Sequence, residues 1–111
     1  MANTNRVNPL QKVVRDGKVA VLYSPGFGAG WYTWNSEHRE LLFAPSLVAL
    51  VEESAPEDQI VAEAEKLVPD GYFGGASDLT IAWLPEGAPF RVEEYDGSES
   101  ITLESDLFIV A

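Results

Sequence analysis

The chain has 111 residues, 46% of them apolar, and a formal net charge of −11. A chain of that length can bury about two thirds of the surface it exposes unfolded, so one domain over 1–111 is expected, with residues 1–9 a candidate disordered lead. The absence of cysteine excludes a disulfide scaffold, a thiolate nucleophile and every cysteine-bearing zinc site.

The longest apolar stretch, Leu41 to Val51, contains Pro45 and Ser46 and falls short of the roughly 20 residues of a membrane helix. The polar start has no apolar signal-peptide core, so a soluble cytoplasmic protein is expected. Charge is unevenly placed. Residues 1–35 carry Arg6, Lys12, Arg15 and Lys18 against Asp16 alone, which is +3, whereas residues 36–111 carry 17 acids against Arg39, Lys66 and Arg91, which is −14. So acidic a chain is a poor direct binder of nucleic acid, whose phosphates take their contacts from arginine and lysine.

In chain order, Gln11 to Tyr23 reads as a β-hairpin, because β-branched residues flank Asp16-Gly17, a pair suited to the two positive-φ positions of a type I′ turn. Ser24-Pro25-Gly26 then turns the chain. Ser36 to Glu40 is expected to open a short helix, and Pro45 to separate it from a second one over Ser46–Glu53. A third helix is expected over 54–68: Ser54 with Glu57 forms a capping box, and Ile60, Val61, Ala64, Leu67 and Val68 make one apolar stripe that should lie on a sheet. Leu79–Leu84 and Phe90–Tyr95 read as strands, Asp96-Gly97 as a second hairpin turn, and Ser100–Leu103 and Leu107–Val110 as the last strands. The expected class is therefore α+β: a mostly antiparallel sheet of five or six strands with two or three short helices on one face.

The candidate site is the run Tyr23 to Trp34, where Gly26, Gly28 and Gly30 alternate with other residues and five of the twelve aromatics fall within twelve positions. Ordering so much glycine is entropically costly, which points to binding. A dinucleotide fingerprint fails, because Trp31 stands where its third glycine is needed. A looser reading keeps the glycine N–H groups as an anion nest with Phe27, Trp31, Tyr32 or Trp34 stacking on a ring. The competing one makes the same rings core residues at a sheet corner. Tyr72-Phe73-Gly74-Gly75 is a second such junction, and an aromatic cleft forms if the two meet. The candidate ligand-binding residues are thus Gly26, Phe27, Gly28, Gly30, Trp31, Tyr32, Trp34, Tyr72 and Phe73. On the ligand-binding reading, Trp31 stacks on the ligand and contributes little to the core.

No catalytic residue, cofactor or metal site is expected. His38, the only histidine, sits in a polar run and reads as a surface residue. Glu93, Glu94, Asp96 and Glu99 do not follow calcium-loop spacing and read as a solvated hairpin tip. Glu52, Glu53, Glu57, Asp58, Glu63 and Glu65 read as a solvated helix face, or alternatively as an imitation of nucleic-acid phosphates.

Taken together, Lys18 to Trp34, Tyr72 to Gly75 and Phe90 to Ser100 resemble small uncharacterised proteins of tailed-bacteriophage genomes, over most of residues 12–111. The resemblance implies an accessory or anti-defence factor acting in the host cytoplasm, and it assigns no residue a role. The expectation is a non-enzymatic binding protein that sequesters a small anionic, nucleotide-like ligand or a host protein through the glycine-aromatic loop. The alternative is an acidic mimic inhibiting a host nuclease or defence protein. A homodimer would cover some of the loop aromatics.

Overall fold

The computed structural model describes residues 11–26, 30–103 and 109–110. Six strands and three helices occur among them: β1 (Val14–Arg15), β2 (Lys18–Tyr23), α1 (Glu40–Phe43), α2 (Pro45–Glu52), α3 (Glu57–Leu67), β3 (Thr80–Pro85), β4 (Pro89–Tyr95), β5 (Ser98–Leu103) and β6 (Ile109–Val110). A 3-10 turn over Ala76–Asp78 leads into β3. The expectation for residues 1–9 lies outside the described residues, as does that for Leu107 and Phe108.

Both hairpin turns form as the sequence dictates. Asp16 and Gly17 have φ of 52° and 75°, Asp96 and Gly97 have φ of 52° and 85°, and the closing pairs are Arg15 with Lys18 and Tyr95 with Ser98. Positive φ at both central residues matches the twist of the flanking strands.

The strands divide into two three-stranded antiparallel sheets, β1-β2-β3 and β5-β4-β6, which corrects the expected single sheet. The division falls at Pro85–Pro89. There Ala88 N–H donates to Pro85 O and Gly87 takes a φ of 83°, so the chain turns out of the first sheet and β4 pairs with β5 and β6 instead of β3. β2 is the central strand of its sheet, and Val19 to Leu22 are all buried. A strand covered on both faces carries a continuous apolar run, as Val-Ala-Val-Leu does.

The helices differ from expectation at their boundaries. Residues 36–39 form turns, and α1 is a single turn whose Leu41, Leu42 and Phe43 are all buried. Pro45 opens α2 at its first turn, where its missing N–H costs nothing. Ser54 does not cap α3. It ends α2, with φ of 56°, its N–H donating to Val51 O while Ala55 N–H donates to Leu50 O. That pairing is a Schellman motif, and it takes Ser54 away from the capping position, so α3 starts at Glu57 behind Pro56 with no side-chain cap. A serine held in the left-handed region is strained relative to glycine. Ser54→Gly is therefore expected to stabilise by about 0.5–1 kcal/mol, read as a raised urea midpoint with unchanged slope.

Ile60, Ala64 and Val68 of the α3 stripe are buried, with Val61 and Leu67 partly so. The stripe meets chiefly α2, α1 and the 3-10 turn, which corrects the expected helix-on-sheet packing. The sheet is already taken: α1 packs on β2 and α2 on β3, leaving α3 an outer layer. The second sheet joins the core through Phe90, whose ring meets Phe43 edge-on at 6.3 Å.

Candidate functional site

The two aromatic-glycine junctions do meet. Gly75 N–H donates to Gly30 O at 2.8 Å. The Asn35 amide behaves as a peptide group laid against Tyr72, its Nδ2 donating to Tyr72 O at 2.7 Å and its Oδ1 accepting from Tyr72 N–H at 2.9 Å. The same Nδ2 donates to Trp31 O at 2.7 Å. Glycine is required twice here. Gly30 has a φ of 109°, and a Cβ on it would sit 2.6 Å from the Trp34 ring; a Cβ on Gly75 would sit 2.6 Å from Gly30 O.

Beneath the junction lies a residue that the sequence reading placed in solvent. Glu99 is 1% exposed. Its Oε1 accepts from Ser24 N–H at 3.0 Å, and its Oε2 accepts from Trp31 N–H at 3.0 Å, Thr33 N–H at 2.8 Å and the Thr33 hydroxyl at 2.7 Å. Its own N–H donates to Ser24 O at 2.8 Å, and beside it Ser98 Oγ donates to Pro25 O at 2.7 Å. The start of β5 thus grips both arms of the glycine-aromatic loop, with one carboxylate satisfying three main-chain donors. A buried carboxylate is tolerated only when so fully hydrogen-bonded. One signal for it was present: the Asp96-Gly97 turn sets a register that puts Glu99 in phase with Ile101 and opposite Glu94, in line with Val92 and Phe90. The other acids of that hairpin, Glu93, Glu94 and Asp96, are exposed as expected.

The candidate residues separate into two groups. Trp31 is 0% exposed, its indole N–H donates to Leu41 O at 2.8 Å, and its ring lies 5.6 Å from Phe73, itself buried. Tyr32 and Gly30 are buried too. Trp31, Tyr32 and Phe73 therefore belong to the core and offer no ring face to a ligand, which corrects their assignment as contact residues. Trp34 and Tyr72 are the outward ones, 52% and 45% exposed, stacked on each other at 5.0 Å with 26° between planes. A depression of about 240 Å³ lies beside them, lined by Trp34, Asn35, Ser36, Glu37 and His38. Gly26 is half-buried; Phe27 and Gly28 lie outside the described residues.

The basic hairpin does not serve this site. Lys18 pairs with Pro85 at the end of β2 opposite Tyr23. Arg15 makes a two-pronged ion pair with Glu52 and lies 5.3 Å from the Trp83 ring centre. The hydrogen bonds from Arg15 hold the Glu52 carboxyl below the usual glutamate range, so the pair persists through neutral pH and is lost as acidification protonates Glu52. Lys12 Nζ sits 4.7 Å from the Phe43 ring centre. His38 Nδ1 lies 3.7 Å from Glu40 Oε2, half-buried in the turns before α1.

No family model matches the chain, and neither a curated protein nor a solved structure matches it. Among the described residues no helix is long and apolar enough to cross a membrane, and no group of three or more histidine, aspartate or glutamate side chains could hold a metal ion.

Proposed function

We propose that this chain is a non-enzymatic binding protein whose contact surface is the Trp34–Tyr72 ledge, and that its partner is a protein. The observation that carries this is a stacked aromatic pair held half-exposed on a hydrogen-bonded backbone. Asn35 pins Tyr72, Gly30 lets the Trp34 ring lie close, and Glu99 fixes the loop from below. Large rings ordered before binding lose little entropy when they bind, and tryptophan and tyrosine dominate protein interfaces for that reason. A phosphate-bearing ligand is the weaker fit, because Arg15 is committed to Glu52 and Lys18 lies at the far end of its strand. The nucleic-acid-mimic alternative also loses weight, since Glu52 and Glu63 of the helical acids are paired with Arg15 and Lys66. The phage resemblance adds that the partner belongs to the host.

The test compares the wild type with the Trp34→Ser/Tyr72→Ser double variant as immobilised bait, then measures purified captured protein by calorimetry. Loss of affinity of about tenfold or more, with the circular dichroism spectrum retained, is the expected result. Equal affinity removes the ledge from the interface. A nucleotide that raises the wild-type melting temperature but not that of the variant replaces the protein partner with a stacked ligand.

A further inference from the structure

Strand β3 lies at the edge of its sheet, and the alternation of hydrogen bonds with β2 fixes which of its residues face the open side. Beyond the Lys18–Pro85 pair, Glu86 N–H donates to Gly17 O at 2.9 Å. Opposed residues of an antiparallel pair alternate between bonded and unbonded positions, so Leu84, Ala82 and Thr80 turn their N–H and C=O groups to Val19, Val21 and Tyr23. The other side of β2 agrees, since Ala20 N–H donates away from β3, to Val13 O at 3.0 Å. Ile81 and Trp83 therefore direct N–H and C=O away from β2. Among the described residues no strand lies on that side, and no turn or loop main-chain bond reaches either residue.

This edge lacks the protections that sheet edges commonly carry. β1 and β6 are two residues long, and in β5 the outward N–H of Glu99 is taken by Ser24 O. β3 has six residues, pairs without a bulge, and bears no charge from Thr80 to Pro85 in a chain that is 23% charged. Thr80 and Pro85 are exposed, and Ile81, Ala82 and Trp83 partly so. The open groups are also self-complementary. An antiparallel copy of β3 centred on Ala82 sets Ile81 of each chain opposite Trp83 of the other, and each such pair exchanges two N–H···O bonds. Ala82 then meets Ala82 at an unbonded position, where opposed side chains come closest and a small one fits. On the opposite face Trp83 gains an isoleucine neighbour, an aromatic and β-branched pair of the kind that stabilises sheets. Copies carrying a net charge of −11 repel each other elsewhere, so an uncharged strand is where they can meet.

We propose that β3 is a dimerisation strand: two copies of this chain pair through it about a two-fold axis, joining their three-stranded β1-β2-β3 sheets into one continuous sheet. The pairing consumes both edges, so association stops at two copies. Asp78 and Glu86 lie just beyond the ends of β3, and the antiparallel arrangement brings Asp78 of each copy to the same end of the seam as Glu86 of the other. The dimer therefore tightens as salt screens this repulsion, the reverse of an ion-paired interface. It uses the main chain of β3 and none of the Trp34–Tyr72 ledge.

Sedimentation velocity of the full chain from about 1 to about 300 µM is expected to show a monomer passing to a dimer, several-fold tighter at about 300 than at about 50 mM sodium chloride. Amide exchange in dilute and concentrated protein locates the seam. Ile81 and Trp83 should gain protection in the dimer, whereas Thr80, Ala82 and Leu84, bonded to β2, are protected in both. Ile81→Pro removes an N–H that β2 does not use, which an edge strand tolerates, and should weaken dimerisation by about tenfold or more. Ala82→Lys sets two cations face to face at the centre while lowering the net negative charge, and should weaken it by a similar factor. Trp34→Ser/Tyr72→Ser should dimerise as the wild type does. Circular dichroism and melting temperature check the folding of each variant; should Ile81→Pro not fold, Ala82→Lys and the wild-type exchange pattern decide. A monomer throughout, a dimer that weakens with salt or leaves Ile81 and Trp83 unprotected, larger species, undiminished dimerisation of folded Ala82→Lys, or loss of the dimer in Trp34→Ser/Tyr72→Ser overturns the proposal.

Discussion

Glu99→Ala is expected to destabilise the protein by about 3 kcal/mol or more, making it the most damaging charged-to-neutral change among the described residues. The loss does not come from charge as such. Removing the carboxylate strands the N–H groups of Ser24, Trp31 and Thr33 and the Thr33 hydroxyl at once. Each buried donor left without an acceptor costs about 1–3 kcal/mol, only partly relieved if water enters. Against a total stability of about 5–15 kcal/mol, that is a large share. Glu99→Gln should cost less, about 1–2 kcal/mol, yet it cannot be neutral: donors approach both carboxylate oxygens, so the amide NH₂ must face one of them. Urea unfolding of the two variants gives the magnitudes. Amide exchange should show Ser24, Trp31 and Thr33 losing protection first in Glu99→Gln. A shift below about 0.5 kcal/mol in Glu99→Ala would mean that the clasp does not hold the loop.

Trp31→Ala is the second large effect, expected at about 3–5 kcal/mol, the range for deleting a fully buried indole. The vacated space borders Phe73, and the Leu41 carbonyl loses its donor. Trp34→Ala, three residues on, should cost about 1 kcal/mol or less, because that ring is half in water and contributes one stacking contact with Tyr72. The contrast between the two tryptophans is what urea titration must show. Equal costs would make Trp34 a core residue and remove the ledge as a binding surface, whereas a stable Trp31→Ala would return that ring to the ligand-contact set.

Much of the architecture was legible from local rules. Asp-Gly pairs between β-branched runs specified both type I′ hairpins, because few other residue pairs tolerate two successive positive φ values. Pro45 separated α1 from α2, and the 3.6-residue stripe marked α3. The misread boundary at Ser54 shows the limit of such rules: serine three residues before a glutamate fits a helix start, but the same serine can close the preceding helix. Which occurs depends on whether the Leu50 and Val51 carbonyls need donors, and that is known only once α2 exists. The alternation over Leu79 to Trp83 likewise marked a strand without telling which face is covered, and the structure buries Leu84 more fully than Trp83.

The candidate site was legible as a segment and illegible as a set of contacts. Composition alone picked out residues 23–34 and 72–75, since glycine and large rings together are too costly to be incidental, and the two segments do come together through Asn35, Gly30 and Gly75. Sequence could not sort Trp31 from Trp34. Both are tryptophans on one turn-rich loop, and their fates are set by what lies on either side: α1 and Phe73 for one, Tyr72 and open water for the other. For Glu99 the sequence offered only the register that puts it in phase with Ile101, a register shared by the exposed Glu94 opposite, so burial of one acid and not the other could not be read from it.

The sequence by itself determined the α+β class, the positions of the tight turns and the apolar face of α3, because each depends on interactions within a few residues of chain. Tertiary structure decided the split into two sheets, the packing of α3 on other helices, the burial of Glu99 and the choice of which aromatic rings face outward. Several of these depend on contacts between residues far apart in the chain, such as Ser24 with Glu99, 75 positions apart, and Asn35 with Tyr72, 37 apart. Residue identity sets what each group requires of its surroundings, a hydrogen-bond donor, an apolar wall or water. Only the assembled fold determines which of those surroundings it receives.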